Sequence, residues 1–245
     1  MIALMRKDLR IYRAAFIAAA IAICLPILLA ILQYLLGNFP MPRPMLVPQP
    51  GTGVTATADS LQGIFAFGIG LTVIAAAIFG GTAFSIERRD RSAEFLAMLP
   101  ASRSTVALSK LLVSFAILLP WIINSGVMFV CQIFNFHSGI DDYGFGRSPQ
   151  RIVGHFYEIF GLSGAVIAAA FGVAWLSGVL SRSPTIASCI GLFFVFVWLW
   201  GFVLVLQYEL LPEAVMEFLL IATGITVGII GTLAGVLISF KRVSP

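Results

Sequence analysis

The chain has 245 residues, of which 60% are hydrophobic and 11% charged, with a formal net charge of +4 and a mean hydropathy of +1.02. A soluble domain is about half apolar and about one quarter charged, so this composition excludes a soluble globular protein and indicates a membrane protein. The charged residues leave six uncharged windows, each longer than the ~20 residues with which a helix crosses a bilayer. These windows are uniformly apolar, whereas barrel strands would alternate, so the predicted fold class is an all-α polytopic membrane protein.

The first predicted element is a short amphipathic helix over residues 1–13. Met5 and Leu9 belong to an apolar stripe, and Arg6 and Arg10 belong to a neighbouring basic stripe. Such a helix lies in the membrane interface, with its basic side towards anionic headgroups. The alternative is that these residues are simple positive flanks of the first span. The apolar run that follows is too long for a typical signal peptide and lacks a convincing cleavage site, so we interpret it as a spanning helix.

Six spanning helices form a single transmembrane domain over residues 1–245. Their predicted bounds are 14–36, 61–85, 105–134, 152–180, 184–207 and 213–240. Pro26 and Pro120 fall inside spans, where neighbouring helices can satisfy the carbonyls that proline frees. Five prolines between residues 37 and 59 favour an extended outer loop there, and the proline- and glycine-rich interval 44–58 is predicted to be a poor helix.

The sixth span contains two GxxxG spacings, which permit a close approach of helices in lipid. They are formed by Gly224 with Gly228 and by Gly231 with Gly235. We interpret them as packing positions within the chain, with a dimer interface as the alternative.

The distribution of positive charge predicts the orientation. All but three of the 15 lysines and arginines fall on the side of the N terminus, the exceptions being Arg43, Arg147 and Arg151. This strong bias follows the positive-inside rule and places both termini in the cytoplasm. The net positive charge reflects this sorting and gives no reason to expect a nucleic-acid partner.

The most informative segment is the charged stretch 87–103 between spans two and three. Ser92 is a good helix N-cap, and Glu94 falls in the first turn, where negative charge suits the helix dipole. Pro100 ends this short helix. Its apolar ridge consists of Phe95, Leu96 and Leu99. A helix this short must pack on something, so the residues leave open either a docking surface for a partner or a hairpin that lies back on the bilayer.

The pattern Glu87, Ser92-x-Glu94-x-Leu96-x-x-Leu99-Pro100-x-Ser102-Arg103 resembles the cytoplasmic coupling segment of ABC-2-type ABC transporter permeases. The six-span layout with a cytoplasmic N terminus is also similar. A Gly-Thr pair is common in that family where this chain has Arg91-Ser92, which puts assignment to a subfamily in doubt.

The resemblance implies the permease subunit of an ATP-driven exporter in a bacterial-type cytoplasmic membrane. It implies two ABC ATPase subunits that bind ATP and Mg²⁺, a second permease copy or a paralogue, and no cofactor on this chain. The residues implied for ATPase docking are Glu87, Ser92, Glu94, Phe95, Leu96, Leu99, Pro100 and Arg103. The interfacial helix, with Met5, Arg6, Leu9 and Arg10, would also touch the ATPase.

The chain has no GxxxxGK[ST] motif, so a separate subunit must hydrolyse any ATP, and its three cysteines show no metal-ligand spacing. Arg151, His155 and Glu158 lie at i, i+4 and i+7 near the predicted outer end of span four. Glu213 and Glu217 lie at the corresponding end of span six. These residues form a weak hypothesis for an outer gate, with interfacial anchoring as the alternative.

Two other function classes are considered. Gly161-Leu162-Ser163-Gly164 resembles the serine motif of rhomboid intramembrane proteases, but those enzymes need a histidine on the sixth span and none follows His155. An ATPase-independent carrier or scaffold remains an alternative. A carrier would be expected to show inverted repeats and charged residues at the bilayer midplane, and we find neither in the sequence.

Overall fold

A computed structural model of the chain describes residues 12–37, 52–89, 103–138, 156–208 and 212–241. Within these ranges the chain is helical without strands, and six helices are long and apolar enough to cross a membrane. This confirms the all-helical, multi-pass prediction. Residues 1–11 of the predicted interfacial helix and residues 90–102 of the coupling segment lie outside the described residues.

The helices are numbered here in chain order. The regular ones are α1 (Arg13–Gly37), α2 (Thr52–Arg89), α5 (Pro184–Gln207) and α6 (Glu213–Lys241). Helix α3, residues 103–138, consists of Arg103–Ser114, a 3-10 turn at Phe115–Ile117 and Leu118–Ser138. Helix α4, residues 157–180, consists of a π-helix at Tyr157–Leu162 followed by Ser163–Leu180.

Helix α2 is longer than predicted. It begins at Thr52, so the prediction of a loop over residues 37–59 is wrong for residues 52–59. The last proline of that region is Pro50, and Gly53 alone costs only about 1 kcal/mol in a helix, so nothing forbids helical backbone after it. The 38 residues of α2 correspond to about 57 Å, which exceeds a bilayer core of about 30 Å.

The 3-10 turn in α3 has a local cause. Pro120 has no backbone N–H and cannot donate to the carbonyl of Ala116, the residue four positions earlier. The tighter 3-10 turn at Phe115–Ile117 lies where the α-helical hydrogen bonds are interrupted. The chain continues as an α-helix from Leu118, and the third candidate span, Leu108–Val130, runs through the turn.

Helices α2 and α4 form the centre of the bundle. Half of the fourth span and 44% of the second are buried, compared with 17% of the fifth. Helix α2 packs against α1, α3, α4 and α5, and α4 packs against α2, α5 and α6. The largest fully buried side chains include Trp175 on α4, Phe79 on α2 and Tyr12 just before α1.

Small residues set the distance between α4 and α6. A Cβ on Gly172 would lie 2.4 Å from the Gly228 carbonyl oxygen, and one on Gly231 would lie 2.5 Å from the Gly172 carbonyl oxygen. All four glycines of the two GxxxG spacings contact α4 of the same chain and are buried. The alternative that these spacings form a dimer interface is therefore wrong, because their surface is already covered within the monomer.

The ends of the helices alternate between two sides. Gly178 near the end of α4 packs on the carbonyl of Gly81 on α2, and Gly81 also packs on Ser188 near the start of α5. At the opposite side, Gly161 on α4 packs on Ile221 of α6. The side that holds the end of α2 is the one that the charge pattern predicts to face the cytoplasm, and we call it the predicted cytoplasmic side.

Candidate functional site

The sequence-predicted site residues are only partly covered by the structure. Glu87 lies in the last turn of α2 and Arg103 is the first residue of α3. The other docking residues, namely Ser92, Glu94, Phe95, Leu96, Leu99 and Pro100, lie outside the described residues, as do Met5, Arg6, Leu9 and Arg10. These assignments stay predictions.

The structure describes only some residues of the predicted outer gate. Arg151 and His155 lie outside the described residues, Glu158 lies in the π-helix, and Glu213 and Glu217 lie in the first turns of α6. The π-helix contacts α6 where Gly161 packs on Ile221. Gly161 lies about one turn after Glu158, and Ile221 lies about one turn after Glu217. Both carboxylate-bearing turns therefore lie at the same end of the bundle.

A polar network that the sequence analysis missed lies inside the bundle, and Asn124 of α3 is its first member. The fully buried Asn124 amide donates hydrogen bonds to the carbonyl oxygens of Ala22 at 3.0 Å and of Pro120 at 2.8 Å. The Ala22 carbonyl is available because Pro26, four residues later, has no N–H to donate to it. Asn124 thus links α3 to α1 by satisfying the carbonyl that a proline leaves free.

The other amide atom of Asn124 faces α2. Its Oδ1 is buried and has no hydrogen-bond partner among the described residues. A Cβ on Gly68 would lie 2.2 Å from this oxygen and 2.7 Å from the Pro26 ring, so only glycine leaves room there. The oxygen therefore rests against the α2 backbone, where a Cα–H contact is the weak compensation that the geometry permits.

A second part of the network joins α3 to α4. The Trp121 Nε1 donates to Ser163 Oγ at 2.8 Å, and the Ser125 and Ser163 hydroxyls lie 3.2 Å apart. Ser163 in turn donates to the carbonyl of Ile159, inside the π-helix that ends immediately before it. The Trp121 ring also packs edge-to-face on Phe160, with centroids 5.9 Å apart. The π-helix of α4 is therefore attached to α3 by a tryptophan.

This arrangement gives Ser163 a structural role. Its hydroxyl is buried, donates within its own helix and accepts from α3, which leaves it unlike an activated nucleophile that donates to a general base. The GxSG resemblance therefore gains no support from the geometry.

We expect Ser163→Ala and Trp121→Phe each to lower thermal stability slightly, because an interhelical hydrogen bond in a membrane contributes about 0.6 kcal/mol on average. Both changes remove the same bond, so the double variant should lose less than the sum of the two single losses. Thermal unfolding of the four proteins in detergent measures this coupling. Strictly additive losses would show that Trp121 and Ser163 are not bonded.

Lys110 is a charged residue inside a span near the predicted cytoplasmic side. It lies within the third span and is fully buried. Its Nζ donates a hydrogen bond to the carbonyl of Ala83 on α2 and lies 4.9 Å from the centroid of the Phe84 ring. Sequence analysis counted Lys110 only among the positive charges of the cytoplasmic side, because local sequence does not show that α2 covers it.

Phe84 also contacts α4, one of the two central helices of the bundle. Its ring packs edge-to-face against Trp175 of α4 with centroids 5.1 Å apart. Lys110, Phe84 and Trp175 therefore form a continuous chain of contacts across α3, α2 and α4. A cation over an aromatic face is favoured by the ring quadrupole.

Asn124 and Lys110 each have a feature that is visible in the sequence. Asn124 is a strongly polar residue in an apolar span, and Lys110 is followed by the uninterrupted apolar run of that span. A survey of every polar residue inside the spans, rather than of midplane charges alone, identifies both as candidates.

The described residues contain no group of three or more histidine, cysteine, aspartate or glutamate side chains placed to hold a metal ion. Comparison of the chain with protein-family models, with curated proteins and with solved structures finds no match.

Proposed function

We propose that this multi-pass membrane protein is the permease subunit of an ABC-2-type exporter, located in a bacterial-type cytoplasmic membrane with both termini inside. A separate ATPase, present in two copies and holding ATP and Mg²⁺, docks on residues 87–103. A second permease copy or a paralogue completes the pathway. The substrate is hydrophobic or amphipathic and moves out of the cytoplasm or the inner leaflet.

The observation that carries the proposal is the setting of the coupling segment. The pattern from Glu87 to Arg103, with its predicted apolar ridge, connects α2 to α3. These two helices contact each other through Lys110 and Ala83, close to where the segment attaches. A force on the segment would thus act directly on α2, one of the two central helices.

The distribution of charge along the spans supports an energy source outside the membrane. Inside the candidate spans of the described chain, charged residues occur only within the first three positions of a span. They are Arg13, Lys110, Glu158 and Glu217. Carriers coupled to protons or ions use ionisable residues deeper in the membrane, so this distribution favours the ATP-driven proposal over the carrier alternative.

The proposal predicts that the tagged chain, solubilised from membranes, co-purifies with the ATPase encoded beside it, and that Leu96→Asp with Leu99→Asp abolishes this association. Two carboxylates on the apolar ridge would have to be desolvated on docking, which is strongly unfavourable. Ala93→Asp with Ala97→Asp is the matched control, because a helix with 3.6 residues per turn places these positions away from the ridge.

Size-exclusion chromatography of each variant establishes that the permease remains folded. Retention of the ATPase by the control and its loss from the ridge variant would support the docking assignment. If wild-type protein recruits no ATPase with or without nucleotide, the carrier or scaffold alternative replaces the exporter proposal.

A further inference from the structure

Burial of Lys110 is costly and therefore informative. Removing an ammonium group from water is strongly unfavourable even after relaxation, and an apolar side chain of similar volume would avoid this penalty. Ionisable residues inside spans usually have a role beyond packing. The contacts of Lys110 indicate what that role is.

The first contact joins α2 to α3 near the two ends of the predicted coupling segment. Lys110 and Ala83 are 27 residues apart in sequence, and their hydrogen bond brings together the two helices that flank residues 90–102. The Phe84 ring beneath Nζ adds a second contact from the same turn of α2. These two contacts hold α2 and α3 together at this level.

The second contact extends to α4. Phe84 packs on the fully buried Trp175. Beside it, a Cβ on Gly80 would lie 2.5 Å from the Phe171 carbonyl oxygen and 2.9 Å from the Trp175 backbone nitrogen. The α2 and α4 backbones are thus in direct contact at this level.

We infer that Lys110 is a positioning residue that locks α2, α3 and α4 into one unit on the predicted cytoplasmic side, so that displacement of residues 90–102 moves α4. That an ATPase displaces these residues rests on the proposed function, whereas the connection of α2, α3 and α4 through Lys110 does not depend on it. Lys110→Met tests the inference because methionine fills a similar volume, and replacing a buried charge with an apolar group is often neutral or stabilising.

The first measurement uses the chain without an ATPase, in nanodiscs, with its native cysteines replaced by alanine. Spin labels are placed at Leu108 on α3 and at Leu180 at the end of α4, both half-exposed. Pulsed electron paramagnetic resonance is expected to give a narrow distance distribution for the otherwise unaltered chain and a broader one for Lys110→Met. Arg182→Met, which removes an exposed positive charge between α4 and α5, is the matched control and should leave the distribution narrow.

The second measurement uses the complex with the ATPase. Labels at Leu35 on α1 and Tyr157 on α4, both exposed, report on the opposite side of the bundle. A non-hydrolysable ATP analogue is expected to shift this distance in the complex, and Lys110→Met is expected to abolish the shift while ATPase binding and hydrolysis continue. General destabilisation would instead lower binding and hydrolysis together, so this separation identifies a positioning role.

Phe84→Leu provides an independent variant, since it interrupts the contact with Trp175 and leaves Lys110 in place. It should also broaden the Leu108–Leu180 distribution. The inference is overturned if Lys110→Met leaves that distribution narrow, or if Arg182→Met broadens it equally. If the wild-type chain recruits no ATPase, the proposed function fails, and the measurement on the chain alone still decides whether Lys110 locks α3 to α4.

Discussion

Gly172→Val is expected to separate α4 from α6 and to produce a large loss of stability. The nearest atoms to an added Cβ are the carbonyl oxygen, Cα and carbonyl carbon of Gly228, at 2.4, 2.7 and 2.9 Å. These are backbone atoms, so no rotamer change can relieve the clash. Overpacking typically costs 1–3 kcal/mol, and here we expect about 3 kcal/mol.

The membrane makes this clash harder to tolerate. Helices in lipid associate through close packing rather than through the hydrophobic effect, because lipid tails are as apolar as leucine. Once α4 and α6 are pushed apart, lipid can take the vacated surface at little cost. The midpoint of thermal unfolding, followed by size-exclusion chromatography of a fluorescent fusion, measures the loss.

Gly201→Val on α5 is the matched control, because no described residue outside the adjacent helix backbone has an atom within 4 Å of a Cβ at that position. It introduces the same side chain into a spanning helix and should change the unfolding midpoint little. Equal midpoints for Gly172→Val and Gly201→Val would contradict the close approach of α4 to α6.

Trp175→Ala is expected to lower stability at least as much. Trp175 is fully buried and packs against Phe84 and Phe171, with ring centroids 5.1 and 5.3 Å away. Truncating a buried tryptophan to alanine typically costs 3–5 kcal/mol, because the cavity is only partly refilled. The loss falls at the junction of α2 and α4, so we also expect a lower yield of folded protein in detergent.

Trp175→Phe separates packing from hydrogen bonding at the same position. The indole Nε1 is buried and has no partner among the residues that the structure describes. Phenylalanine removes this unpaired N–H while it keeps most of the ring contacts, so it should cost much less than alanine. Trp200→Ala, at a residue that is 57% exposed on α5, is the control for loss of a tryptophan from the surface. A Trp175→Phe variant as unstable as Trp175→Ala would show that the indole nitrogen is bonded after all.

The two central connections between α3 and α4 lie at different depths. Lys110 reaches Trp175 through Phe84 near the predicted cytoplasmic side, and Trp121 bonds Ser163 farther along both helices. The second connection coincides with the π-helix of α4, a local geometry that often marks functional positions. Under the proposed function, a displacement of α3 at Lys110 would move α4. Because α3 contacts α4 at both levels, this movement would extend to the π-helix of α4.

The amino-acid sequence by itself determined the number of spans and where several of them stop. Uniformly apolar windows of sufficient length become spanning helices because every backbone polar group must be satisfied inside the membrane. The break between α4 and α5 was also local, since Ser183 and Pro184 are a good helix start, and the Ile186 amide indeed bonds the Ser183 hydroxyl at 3.4 Å. Hydropathy, proline and capping determine spans and helix ends through residues that are close in sequence, so their effects can be predicted from the sequence. The coupling ridge and the interfacial helix were identified in the same way and stay predictions.

Only the tertiary structure decided which residues face each other. It buried Lys110 beneath α2, placed Asn124 against the carbonyl freed by Pro26, and covered the glycines of α6 with α4. It also extended α2 back to Thr52. In a chain that is apolar on all sides, hydrophobic periodicity does not distinguish the surface that meets lipid from the surface that meets another helix. That choice depends on the fit of small residues and on isolated polar contacts between distant segments, which become visible only once the helices are assembled.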